Sequence, residues 1–478
     1  MKLIYFLWTA LDRFGANVIS LVGNIVLSYF VTQKDFGIVS ALSIFTSIVF
    51  VFTDCGLSDG IMRYKDAKRK DFNTLFWFNV LMGVVLLLLF NIMAPFMANY
   101  FEVPEVEGVM RFFGVGALVG SMLIAQETKL RYNLEFSKLT RVNLLAVFSG
   151  VLTGILMGYL GFGYWSIAFV YVGYRFFALV YLMIFTKWEV RFEFSLDTFK
   201  DLWRFGVNLM LSVLTSQIAQ NIYGFILGKY YSMVQTGYFG QAQKLQHSPT
   251  YALESTISTT SYALLTKEPD EERLRTSALS MYGVALFVMM SFIGMFFALS
   301  FPIIDVLFAE RWLPVVPYLR LLLILGMFQA LSRFMQMLLK VYNRTRNIRN
   351  IVIVENLMII FSVYILYPYG VLAMLIGSIL VSMVMLNIYA LFVSKVSQIK
   401  YFKLIKMLVG NAIMMSIPCV VVFYIVSMID SSVVSLFVGV LLYVVLLLIG
   451  CKLCKPIYYE YIKNKCVLLK NKVCDKTE

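Results

Sequence analysis

Four stripes of polar side chains interrupt an otherwise apolar chain. Arg13, Asn17, Ser20, Asn24 and Ser28 recur three or four residues apart, the interval that places side chains on one face of a helix. Ser40, Ser43, Ser47, Asp54 and Ser58 share a face in the same way. Arg204, Asn208, Ser212, Ser216 and Gln220 recur every fourth residue, with Gln217 and Asn221 beside them. The fourth stripe is Gln241, Lys244, Ser248, Tyr251, Ser255, Ser258 and Tyr262, flanked by Gln243, His247, Thr250 and Glu254. Amides and hydroxyls exchange hydrogen bonds with a hydroxyl-rich ligand, and arginine or lysine holds anionic oxygen. The chemistry expected is binding and release, not bond making. Gly224 to Lys229 is one residue too short between its glycines for a phosphate-binding loop. There is no Gly-x-Ser-x-Gly elbow and no His-Glu-x-x-His pair, and no loop is long enough for a soluble catalytic domain. Neither an enzyme nor a cofactor is expected.

The elements that carry these stripes are membrane helices. The chain is 60% hydrophobic and only 14% charged, whereas soluble proteins carry about 25% charged residues. Apolar runs recur from end to end, and a run of about 20 such residues crosses a bilayer as a helix. Windowed hydropathy predicts an all-α polytopic membrane protein of about 14 transmembrane helices, from 4–31 and 37–60 to 433–451. Lysine and arginine fall in alternate loops: Arg63 to Lys70, Lys129 to Arg141, Lys187 to Arg204, Lys267 to Arg275, Lys340 to Arg349 and Lys395 to Lys406, with a basic tail. The opposite loops hold little beyond Lys34, Lys229 and Arg311, and include the acidic run Glu102 to Glu107. Basic loops stay in the cytoplasm, so both termini are placed there. The start of the chain lacks the cleavage site of a secretory signal, and the first span is expected to stay as an anchor. The net charge of +14 is accounted for by these loops, not by a nucleic-acid partner. Cys451-x-x-Cys454 has zinc-like spacing but no second ligand pair. Four of the six cysteines lie in the tail, where they are expected as reduced thiols, and no metal is expected.

The stripes belong to a duplication. Arg13-Phe14-Gly15-Ala16-Asn17 is nearly repeated by Arg204-Phe205-Gly206-Val207-Asn208. Pro95 pairs with Pro302, Arg111 with Arg320, Tyr132-Asn133 with Tyr342-Asn343 and Gly163 with Gly370, in the same order. A six-helix unit has an even number of crossings, so the copies enter the membrane in the same direction, as in one class of transporters. The expected organisation is two parallel six-helix lobes, 1–193 and 194–400, followed by two extra C-terminal helices and a basic tail, 401–478. Gly15 and Gly206 are expected where helices approach closely.

Polar residues inside a membrane face protein or a water-filled cavity. The candidate binding residues are therefore Arg13, Asn17, Asn24, Arg63, Arg175, Asn208, Gln217, Gln220, Asn221, Gln241, Lys244, His247 and Arg333. Asp54, Asp59 and Glu254 are the candidate ion-coupling acids. The plainer readings are that Asp54 holds the bundle together through an arginine, that Arg13 snorkels, and that a lone histidine packs. Fixed cations outnumber acids, which favours an anionic substrate such as a phosphate or acidic sugar. Pro249 is expected to kink the eighth span.

Several stretches resemble one family. They are Asp35-Phe36-Gly37 with Phe45, Phe76-Trp77-Phe78-Asn79, Leu160-Gly161-Phe162-Gly163-Tyr164-Trp165, Gly237 to Leu245 and Trp312 to Leu319. With the doubled six-helix unit and two extra helices, they resemble the multidrug/oligosaccharidyl-lipid/polysaccharide exporter superfamily. Within it the likeness is to the Wzx-type flippases, particularly the colanic and teichuronic acid exporters. The resemblance fades in the last two spans, and Lys244 departs from the family pattern, which carries no fixed charge there. It implies a flippase that moves an undecaprenyl-pyrophosphate-linked oligosaccharide from the cytoplasmic to the periplasmic leaflet by alternating access. The implied partners are that lipid-linked oligosaccharide, membrane lipids and the polysaccharide polymerase and chain-length machinery, with the chain working as a monomer. The alternatives are a multidrug/cation antiporter of the same fold, which should expose carboxylates, and a glycan polymerase or ligase, which should need a large periplasmic loop.

Overall fold

A computed structural model describes residues 2–186, 190–342 and 344–454. Among these the regular structure is helical, in seventeen α-helices and two 3-10 turns, with no strand. The chain is all-α. Eleven helical segments among the described residues are long and apolar enough to cross a membrane. Two compact units divide the chain: Met1–Lys244 with Val363–Val371, and Leu245–Ser362 with Leu372–Glu478.

The first unit contains α1 (Lys2–Phe30), α2 (Gln33–Ala41), α3 (Ser43–Asp54), α4 (Leu57–Ile61), α5 (Arg69–Phe101), α6 (Glu105–Tyr132), α7 (Phe136–Tyr159), α8 (Tyr164–Phe185), α9 (Leu196–Tyr230) and the first part of α10 (Met233–Leu265). The boundary between units falls within α10, between Lys244 and Leu245. Helix α5 packs along α6, α7 along α8, and α1 against α7, while α2, α3 and α4 each lie against α9. The span expected at 37–60 is not one helix. Leu42 interrupts it once, and Cys55 (φ 49°) and Gly56 (φ 72°) turn it through the left-handed region. The face of Ser40, Ser43 and Ser47 therefore does not continue to Ser58. Left-handed backbone cannot extend a right-handed helix, so α3 ends and α4 begins.

Helix α2 starts on a capping box. Thr32 Oγ1 accepts from the Asp35 backbone N–H at 3.3 Å, and Asp35 Oδ2 accepts from the Thr32 N–H at 3.2 Å. Its backbone then meets α10 at glycines. A Cβ on Gly37 would stand 1.7 Å from the Met233 carbonyl oxygen, and one on Gly237 would stand 2.1 Å from the Gln33 carbonyl. Only glycine lets two helix backbones touch in this way. Gly206 is a third close approach, its absent Cβ falling 2.3 Å from the Cys55 carbonyl oxygen, whereas Gly15 faces the flexible end of Leu144. At the far end of these helices the acidic run meets the two lysines of its side. Lys34 Nζ lies 2.8 Å from Glu105, and Lys229 Nζ lies 2.9 Å from Glu102. The hydrogen bond from Lys229 holds the Glu102 carboxyl below its ordinary range.

The second unit holds the rest of α10, then α11 (Glu271–Ala298), α12 (Ser300–Leu307), α13 (Val315–Val341), most of α14 (Thr345–Leu366), α15 (Val371–Ser397), α16 (Tyr401–Ser427) and α17 (Ser432–Cys454). Helix α16 packs on both α11 and α17, and α17 packs on α12. The two helices beyond the repeat are thus part of this unit's core. One buried cluster draws Tyr282, Leu286, Phe334, Met335, Tyr389 and Met415 from α11, α13, α15 and α16.

Candidate functional site

Two of the four stripes meet inside the first unit at one point. Asn24 on α1 donates from Nδ2 to Gln241 Oε1 on α10 at 2.8 Å. Lys244, one turn further along α10, donates from Nζ to Asn24 Oδ1 at 3.4 Å. The ammonium lies 5.4 Å from the centroid of Phe36 and 5.7 Å from that of Tyr171, each a cation–π distance. Among the described residues no carboxylate pairs with it. Gln241 is 1% exposed, and its Nε2 has no hydrogen-bond partner among the described residues. The glycine contacts of α2 with α10 position this cluster, since they set Phe36 beside the turn that carries Lys244. Nearby, Asn221 Nδ2 on α9 donates to Ser47 Oγ on α3 at 3.0 Å and to the Gln217 carbonyl at 2.9 Å. Gln243 Nε2 donates to the Gln220 carbonyl at 3.0 Å. Helices α1, α3, α9 and α10 thus present connected polar surfaces. An ammonium with two aromatic faces and adjacent amides is suited to anionic oxygen bordered by hydroxyls.

The other expected residues lie elsewhere. Arg13 is exposed on α1, beside Asp12, which accepts from Asn143 at 2.6 Å. Asn17 is half-buried and makes no hydrogen bond among the described residues. Asp54 is occupied locally: its Oδ1 accepts from the Ser58 backbone N–H at 3.1 Å and from the Ser58 hydroxyl, so it caps α4. Asp59 is exposed. Arg63 stacks over Phe205 at 4.4 Å. Beside it Tyr64 donates to Asp201 at 2.8 Å, and burial with that carboxylate pushes its phenol up. Arg175 lies along Gly116 and Gly120 on α6 and feels the charge of Glu127. The side chain of Asn208 lies outside the described residues, as do the tail cysteines Cys466 and Cys474.

In the second unit, Arg333 on α13 reaches Glu254 on α10, Nε to Oε2, at 2.6 Å. Glu254 is 7% exposed. His247 stacks on Tyr251 with ring centroids 5.5 Å apart. Two further acids, Glu127 and Glu355, went unmarked in the sequence reading. Each is a carboxylate in or at the end of an apolar run, which is the signal that would have found them. Phe36 and Tyr171 carried no such signal, because aromatic residues abound in every span.

Fold and hydropathy together define a multi-pass helical membrane protein. The chain belongs to the family described as "Polysaccharide biosynthesis protein", whose model matches residues 26–317, more than half its length. It is 22% identical over 338 residues to the teichuronic acid biosynthesis protein TuaB of Bacillus subtilis, covering 68% of each chain. It is 20% identical to the lipopolysaccharide biosynthesis protein WzxC of Escherichia coli, covering 68% of this chain and 67% of that one. The fold is shared with the lipid II flippase MurJ in an inward closed conformation, at a TM-score of 0.73 and 15% identity over 94% of this chain and 99% of that one. An inward-facing multidrug resistance MATE transporter of the MOP superfamily follows at 0.63 and 16% identity, over 81% and 99%.

Proposed function

We propose that this protein is a flippase for an undecaprenyl-pyrophosphate-linked oligosaccharide, a repeat unit of O-antigen, capsule or exopolysaccharide. It carries that lipid from the cytoplasmic to the periplasmic leaflet of the bacterial inner membrane by alternating access of two lobes. The observation that carries this reading is Lys244, an ammonium without a carboxylate, bonded to Asn24 and flanked by two aromatic faces among polar stripes. It is the group for the pyrophosphate or an acidic sugar, and the amides of α9 and α10 serve the glycan hydroxyls. Membership in a polysaccharide biosynthesis family and the likeness to TuaB and WzxC support the substrate class.

The lobes are the repeats 1–193 and 194–400, with 401–478 appended. Helices α1, α9 and α10 are 29, 35 and 33 residues long. We count them as spans, since their polar stripes dilute the hydropathy of runs long enough to cross. With the eleven apolar segments they make an even number, which keeps both termini on one side, and the basic loops support the cytoplasmic side. The chain works as a monomer beside the polymerase and chain-length machinery, and an ion gradient drives it. The fold likeness to a MATE transporter keeps a cation antiporter as the second reading. An organic cation calls for an unpaired acid where this site has Lys244. Deleting the gene tests the choice: the lipid-linked glycan should accumulate on the cytoplasmic leaflet. Normal periplasmic delivery in a strain without a redundant carrier would refute the flippase reading.

A further inference from the structure

In the second unit two buried acids lie near one arginine, whose charge also reaches His247. Glu254 on α10 and Glu355 on α14 are each 7% exposed, and both lie within helices read as membrane spans. Glu254 is engaged by the Arg333 guanidinium at 2.6 Å. Glu355 has no ion pair of its own among the described residues. Its Oε2 accepts from the Tyr389 hydroxyl on α15 at 3.0 Å, and that hydroxyl accepts from Gln336 Nε2 on α13, also at 3.0 Å. Arg333, already paired, is the cation whose charge reaches Glu355, and Tyr389 is the titratable group in contact with it. The groups facing Glu355 are therefore Tyr389 from α15, Arg333 and Gln336 from α13, and, across Arg333, Glu254 from α10. With both carboxylates ionised the trio carries one negative charge in excess. With Glu355 protonated it is neutral. Excess charge inside a membrane is costly, while the donor chain from Gln336 through Tyr389 sustains the ionised form. The network supports either state without rebuilding.

We propose that Glu355 is a proton-exchange site, binding one proton as the carboxylic acid and releasing it as the carboxylate. Its use in driving export rests on the flippase reading, whereas its protonation does not. Asp54, the intramembrane acid singled out by sequence, is spent on capping α4. Glu355 instead bonds across helices, to Tyr389 on α15.

Two measurements separate the claims. In pH-difference infrared spectra of the purified full chain, lowering the pH should raise a protonated-carboxyl band that Glu355→Gln abolishes. Glu355→Gln keeps the side-chain volume and should keep the thermal unfolding midpoint. A wild-type spectrum with no band lost in a folded Glu355→Gln overturns the proposal, as does a band governed by sodium and not by pH. In proteoliposomes with a fluorescent undecaprenyl-pyrophosphate oligosaccharide, a proton gradient should accelerate flipping by wild type and not by Glu355→Gln. Equal acceleration of both would overturn the coupling role. Absence of flipping by wild type would instead fall on the flippase reading and leave the infrared result standing.

Discussion

At the scale of single residues, the candidate site separates cations by what they pair with. Arg333 is neutralised by Glu254 at 2.6 Å, Arg63 is stacked on Phe205, and Lys244 alone of these three meets polar ligand groups without an acid. Lys244→Ala is expected to weaken substrate binding, since a hydrogen bond to a charged group contributes about 1.5–3 kcal/mol. That corresponds to roughly tenfold or more in affinity. Export assayed by surface polysaccharide should fall accordingly, with partial recovery in Lys244→Arg; full export by Lys244→Ala would remove the lysine from the site. Arg333→Ala tests a different property. It strands Glu254 without its partner, and breaking a buried pair costs about 3–5 kcal/mol. The thermal midpoint of the detergent-solubilised protein should drop, and the double variant Arg333→Ala/Glu254→Ala should regain part of the loss. The individual pairings were not legible in the sequence. Spacing put Asn24, Gln241 and Lys244 on helix faces, but the partner of each depends on which helices touch. Asp54 shows the limit most plainly: an acid in an apolar run reads as functional, and its hydrogen bonds to Ser58 depend on a turn at Cys55 that spacing does not announce.

At the scale of elements, the glycine-mediated contact between α2 and α10 fixes the site. The motifs Asp35-Phe36-Gly37 and Gly237 to Lys244, noticed in the sequence for their familiarity, have a steric cause: Gly37 and Gly237 clear space for carbonyl oxygens of the facing helix. Gly37→Ala is expected to destabilise the fold by about 1–3 kcal/mol, the range for overpacking, and to reduce export by displacing Phe36 from Lys244. Gly410→Ala, where a Cβ would meet nothing within 4 Å, is the control and should be neutral or mildly stabilising. Equal thermal midpoints for the two variants would contradict the close packing. Helical periodicity located most elements because the apolar runs are long. It ran the second span straight through Leu42 and Cys55-Gly56, because a left-handed turn at cysteine has no compositional signature.

At the scale of the whole molecule, the all-α, multi-pass class was legible from composition alone, since 60% hydrophobic residues leave few other folds. The number of crossings was harder to read for a physical reason. The helices α1, α9 and α10, counted as spans, carry polar stripes that lower their hydropathy. The packing of α16 and α17 into the core of the second unit was not legible, because apolar runs do not say which helix each one faces. A flippase moves a lipid-linked oligosaccharide across a bilayer without changing it. The most direct measurement is the purified protein in liposomes holding a fluorescent undecaprenyl-pyrophosphate oligosaccharide, with an impermeant quencher added outside. Quenching is expected beyond the outer-leaflet fraction, at a rate that depends on Lys244, if the protein is a flippase. Quenching that stops at the outer leaflet, as in protein-free liposomes, would contradict that reading.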